Sequence, residues 1–201
     1  MIKGLIKPVL LSLSILLEGY NPCFANQNPS DVVTSFHQGL TTAMKVDDYA
    51  KRLLVIEPVI VKHFQIHTIA RISLGRYWRS LSAIEQTKLK SLLKDLVIST
   101  YTFRFKNHDG QVFSIIGTEP ITTDRSRVKS LLTTRTETVS LNYQLQLENG
   151  SWKIYDIVAN GVSDLSLKRS NYSAIFKKGG ISSVQEEILS NISRNAFQKN
   201  D

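Results

Sequence analysis

Cysteine is nearly absent from this chain. Cys23 is the only one, so no disulfide can close within the molecule. A folded chain of this kind must be held by its core alone, which its length allows. Long apolar runs are equally scarce. Val9 to Leu17 is one, nine residues long; a helical membrane span needs about 20. No second run of that kind follows. There is no phosphate-binding loop, no Gly-x-Ser-x-Gly elbow, no internal repeat and no low-complexity segment. Serine and threonine are abundant, but abundance does not activate a hydroxyl. These absences exclude most routes to nucleophilic or nucleotide chemistry.

What is present begins with export. Lys3 and Lys7 precede the apolar run, and Cys23-Phe24-Ala25 puts small residues at the −3 and −1 positions of a cleavage site. That is the pattern of a secretory signal peptide spanning residues 1–25. Tyr20-Asn21-Pro22 is not a lipobox. Cleavage near Ala25 leaves a single domain, residues 26–201, without cysteine. The full chain carries +8, and losing Lys3, Lys7 and Glu18 leaves +7. A basic balance favours anionic partners such as lipid headgroups. Export argues against nucleic acid, and the basic residues are scattered.

The pattern is helical first. Pro29-Ser30-Asp31 starts a helix, and a second covers Tyr49 to Ile56 before Pro58 interrupts it. A third is expected over Val59 to Ser73, ending near Gly75. Ser82 and Glu85 form a capping box. The helix after it carries Leu89, Leu92, Leu93, Leu96, Val97 and Tyr101 on one stripe. The period then changes. Val112 to Ile116 and Val128 to Thr136 are expected strands. Val139 to Leu147 alternates apolar and polar residues strictly, Asn149-Gly150 marks a hairpin, and Trp152 to Val158 returns. Ser163 opens a further helical region that Gly179-Gly180 breaks, and a last helix follows. The order predicts an α+β fold: an antiparallel sheet of about four strands packed against N- and C-terminal helices around an apolar cavity.

Few residues offer chemistry. His63 and His67 are four apart, a spacing that suits a zinc pair on one helix face. Phe64 stands where a zincin has glutamate, and no third ligand is near, so no metal is expected. Asp156 falls in the Trp152–Val158 strand. On an inward face it would serve a cone-shaped α+β enzyme as general base; the reading favoured over that one is a buried, hydrogen-bonded Asp that fixes the sheet or a helix terminus. Most aromatics are core, and a subset suits the wall of an apolar pocket.

Three segments together resemble the MlaC family, also called the toluene-tolerance family of periplasmic phospholipid-binding proteins. They are Leu74-Gly75-Arg76-Tyr77-Trp78 with the Glu85-Gln86 helix and Tyr101; Trp152-Lys153-Ile154-Tyr155-Asp156-Ile157 with Gly161-Val162-Ser163; and Tyr172 to Phe176 with Lys178-Gly179-Gly180-Ile181. A hopanoid-associated branch is similar as well. The resemblance implies a non-enzymatic shuttle in the Gram-negative periplasm that helps maintain outer-membrane lipid asymmetry. Its ligand would be a phospholipid, with no other cofactor. Its partners would be an inner-membrane ABC transporter with an MCE-domain subunit and an outer-membrane lipoprotein–porin complex. The expected cavity wall is Leu74, Tyr77, Leu93, Val97, Tyr101, Leu141, Tyr143, Leu145, Ile154 and Tyr172. Two rivals remain at this level: the Asp156 enzyme, and an adaptor that works through its surface.

Overall fold

The structure is a computed structural model that describes residues 28–197. The expected signal peptide lies outside the described residues. The first element among the described residues is α1 (Pro29–Ala43), capped by the Asn28 side chain, which accepts from the Ser30 N–H at 3.2 Å. Its buried face, Val32, Val33, Phe36 and Leu40, follows helical spacing.

Helix α2 (Tyr49–His63) runs straight through Pro58, where the sequence predicted an interruption. Pro58 is exposed, and so is Leu54 four residues earlier. Water can therefore solvate the carbonyl that the proline leaves without a donor. The break comes later. Phe64 leaves helical geometry and pairs with Ile154 as an isolated parallel bridge, and the Gln65 N–H donates to the Ile154 carbonyl at 2.8 Å. Helix α3 (Ile66–Leu74) then starts afresh. The single helix expected over Val59 to Ser73 is thus two, separated by a long-range contact.

A 3-10 turn, Gly75–Ser80, leads to α4 (Ala83–Arg104). The capping box is formed: the Glu85 N–H donates to Ser82 Oγ, and the Ser82 N–H donates to Glu85 Oε2 at 2.8 Å. The bonds that the Ser82 N–H and the Ser82 hydroxyl donate to the Glu85 carboxylate hold it below its ordinary pKa.

The sheet is antiparallel, in order β1-β2-β3-β4-β5, with β1 (Val112–Thr122), β2 (Arg125–Thr133), β3 (Thr138–Glu148), β4 (Ser151–Ala159) and β5 (Val162–Ser163). Four strands match the expectation in number; the fifth is a two-residue extension. β1 is longer than its apolar run and includes Pro120. It is an edge strand, where a missing N–H is tolerated. β4 carries a bulge. Leu145 faces Ile154 in register, but Tyr143 faces Ile157. The interval of three on β4 against two on β3 marks one extra residue there.

Helix α5 (Asp164–Phe197) is two helices joined at Gly179 and Gly180, whose φ/ψ are not helical. Gly180 has φ 67°, a conformation that glycine takes without steric cost.

The core has two parts. One lies between the sheet and α1, α2 and α4, and includes Phe36, Ile56, Val97, Tyr143, Leu145 and Ile154. The other lies among helices only, and includes Leu74, Trp78, Leu89, Leu93, Tyr172 and Ile188. α4 divides between them. Leu89, Leu93 and Leu96 belong to the helical part, and Val97 and Ile98 to the sheet part.

Candidate functional site: an apolar cavity under the sheet

A cavity of about 450 Å³ lies between the sheet and the C-terminal half of α4, with the start of α5 at its side. That size is ordinary for a ligand pocket. Three of the elements in its wall contribute residues at fixed spacings. α4 contributes Val97 and Tyr101, one helical turn apart on one face, and Phe105 follows directly at its C-terminal cap. β3 contributes Leu141 and Tyr143, two apart on one face of the strand. β4 contributes Ile157, which the bulge brings opposite Tyr143.

Aromatic rings fix the floor. Tyr101 stacks on Phe105 with centroids 5.9 Å apart, and meets Phe36 edge-on at 5.2 Å. The Tyr143 hydroxyl is 2.9 Å from His37 Nε2, and His37 stacks on Phe113 at 4.3 Å. Burial lowers the His37 imidazole to about 4 and raises both the Tyr143 and Tyr101 phenols. All three are therefore uncharged at neutral pH. Charge is confined to Arg104, Asp164 and Lys168. Lys168 pairs with Asp164 at 2.6 Å. An apolar wall with a few charged groups is suited to holding hydrocarbon, with the polar end of a ligand left near water.

The ten residues expected as wall divide. Val97, Tyr101, Leu141 and Tyr143 line this cavity. Leu145 and Ile154 pack in the sheet core, fully buried. Leu74, Leu93 and Tyr172 are buried in the helical core. Tyr77 stacks on Phe176 at 4.4 Å beside that same core. Sequence reasoning counted Phe105 among the aromatics but not in the expected wall, and did not single out Leu132 or Ile157. Phe105 follows Tyr101 by four residues, a signal that was there to read. Ile157 was hidden, because only the bulge puts it in phase.

The candidate chemistry takes other roles. His63 ends α2 and His67 lies on α3, so the two do not share a helix face. His63 Nε2 is 3.0 Å from Ser35 Oγ, and His67 meets the Trp78 ring edge-on at 5.6 Å. Among the described residues, no group of three or more His, Cys, Asp or Glu side chains is placed to hold a metal. The Asp156 carboxylate accepts from Ser163 Oγ at 2.6 Å, from the Leu165 N–H at 3.1 Å and from its neighbour's N–H at 2.8 Å. Ser163 Oγ in turn accepts from the Ser166 N–H at 2.9 Å. Together they satisfy two of the free N–H groups where α5 begins, those of Leu165 and Ser166. This is the second of the two roles expected for Asp156, the anchoring of a helix terminus.

Fold and site define a class: an α+β protein whose antiparallel sheet and helices enclose an apolar cavity. The profile of the family described as "MlaC protein" matches residues 32–189, and the chain belongs to the MlaC family. It is also similar in fold to a phospholipid-binding protein from Ralstonia solanacearum whose structure was solved in complex with a phospholipid. That similarity has a TM-score of 0.75 at 20% identity, covering 85% of this chain and 99% of the other.

Proposed function

We propose that this protein is a periplasmic phospholipid carrier that holds acyl chains in the cavity between α4 and the sheet. The observation that carries the reading is an apolar, partly aromatic cavity in a chain of the MlaC family. The Ralstonia relative of the same fold, bound to a phospholipid, supports it. So does the export pattern of residues 1–25. On this reading Val97, Tyr101, Leu141 and Tyr143 contact the chains, and the headgroup stays near Arg104 and Lys168. The proposal includes no catalytic step.

The physics is one of matched solvents. Each buried CH₂ is worth about 0.8 kcal/mol relative to water, so two long chains cost on the order of 20 kcal/mol to expose. Escape into water is slow. A bilayer offers the same burial, so exchange with a membrane is nearly neutral and needs no nucleotide at the carrier. Direction comes from its partners, which we propose are an inner-membrane ABC transporter with an MCE-domain subunit and an outer-membrane lipoprotein–porin complex. A basic surface speeds docking at acidic partner surfaces.

The test is to purify the protein, extract it with organic solvent and identify lipids by mass spectrometry. One diacyl phospholipid per chain is expected, together with uptake from vesicles. No stoichiometric lipid and no uptake would reject the reading.

A further inference from the structure

The Leu74-Gly75-Arg76-Tyr77-Trp78 segment is left without a role by the carrier reading. Its side chains do not line the cavity under the sheet. Gly75, Arg76 and Trp78 instead line a second concavity of about 400 Å³, together with Arg71 and Ile72 from α3, Arg79 from the 3-10 turn and Arg169 from α5. The two hollows share no lining residue.

All four arginines are exposed. Among the described residues, none of them has a carboxylate oxygen within the 4.0 Å of an ion pair. Other cations of this chain do: Arg127 and Lys129 pair with Glu119, Arg135 with Asp109, and Lys168 with Asp164. Two of the four, Arg76 and Arg169, pack against the turn itself. Arg76 lies over the Tyr77 ring at 5.0 Å and donates to the Tyr77 hydroxyl at 3.0 Å. Arg169 crosses Gly75 so closely that a Cβ there would come within 3.0 Å of its Nε. Gly75 has φ 58° and ψ −126°. Glycine thus serves twice, taking a backbone conformation that side chains resist and leaving room for a guanidinium.

Four like charges gathered from three elements repel one another unless an anion joins them. The guanidinium fork matches phosphate oxygens two at a time, and Arg is the residue that such recognition favours. We propose that this arginine hollow is a binding site for a phosphate-bearing anion, separate from the apolar cavity. A lipid headgroup at a membrane surface and a free phosphate offer the same chemistry.

The experiment titrates the purified protein with inorganic phosphate and pyrophosphate by calorimetry. A parallel arm measures flotation with vesicles of phosphatidylglycerol or of phosphatidylcholine. The Arg76→Gln/Arg169→Gln double variant is compared with Lys51→Gln/Lys88→Gln, which removes the same charge from exposed positions elsewhere. Thermal unfolding checks that both variants fold. Saturable binding that the arginine variant weakens about tenfold or more, and the lysine variant leaves unchanged, is the expected result. Binding of the soluble anions alone supports a free phosphate as the ligand. Arginine-dependent binding to vesicles supports a headgroup. The proposal is overturned if neither arm binds, if both variants lose equally, or if an oligoglutamate peptide binds where both phosphate arms fail. Retention of co-purified lipid in the arginine variant would show that this site and the carrier cavity are independent.

Discussion

Gly75 shows how much one residue can constrain. Its positive φ and the Arg169 side chain above it both oppose a Cβ. Arg169 is long and can swing aside, so the backbone dominates the cost. Gly75→Ala is expected to lower stability by about 1–3 kcal/mol, read as a lower urea midpoint with unchanged slope. An unshifted midpoint would show that the turn relaxes without strain.

Two buried histidines set a pH dependence. Burial lowers His37 to about 4, and burial together with Lys62 and Lys153 lowers His63 to about 4. Both are 6% exposed or less. The unfolded chain takes up these protons first, near the free value of about 6.5. Stability is therefore full above about pH 6.5 and falls toward pH 4, by about 3 kcal/mol at most for each imidazole. Urea midpoints measured from pH 7.5 to 4.5 should decline, and less so in His63→Gln. A flat profile would mean that both rings stay solvated.

At the scale of elements, α4 is the instructive case. Its apolar stripe is continuous in sequence, yet its first half faces other helices and its second half faces the sheet. Leu93 and Val97 are one turn apart and do different work. Leu93→Ala should cost about 2–5 kcal/mol of stability and leave lipid per folded molecule unchanged. Val97→Gln places an amide on the cavity wall and should lower bound lipid more than it lowers the melting temperature. Lipid-to-protein ratios and melting curves of the two variants decide this. The reverse pattern would move the cavity to the helical side of α4. Similarly, Pro58 does not end α2: it and Leu54, whose carbonyl loses its donor, are both exposed residues; the actual break coincides with the Phe64–Ile154 bridge, which joins residues far apart in sequence.

For the whole molecule, a ligand that binds only the folded state adds RT ln(1 + [L]/Kd) to its stability. Protein stripped of lipid and refolded should melt at a lower temperature than the protein as purified. Adding phospholipid vesicles should restore the difference, and adding detergent-free buffer should not. Equal melting temperatures for the stripped and purified forms would argue that the cavity is empty in both.

Local chemistry was legible in the sequence because short-range rules govern it. The Ser82–Glu85 box, the Asn149-Gly150 hairpin, the alternating β3 and the Gly179-Gly180 break depend only on neighbours within a few residues. So did the α+β order, and the family was readable from three ordered motifs. Tertiary structure alone decided which apolar residues line a cavity and which fill a core, since both kinds have the same composition and period. It decided that His63 and His67 lie on separate helices, and that Ile157 rather than a residue two beyond Ile154 comes into phase. It also gathered four arginines, distant by up to 98 positions between Arg71 and Arg169, around one glycine. The physical reason is common to all of these. A side chain's partners across the fold, and not its neighbours along the chain, set whether it meets solvent, a cavity or another side chain.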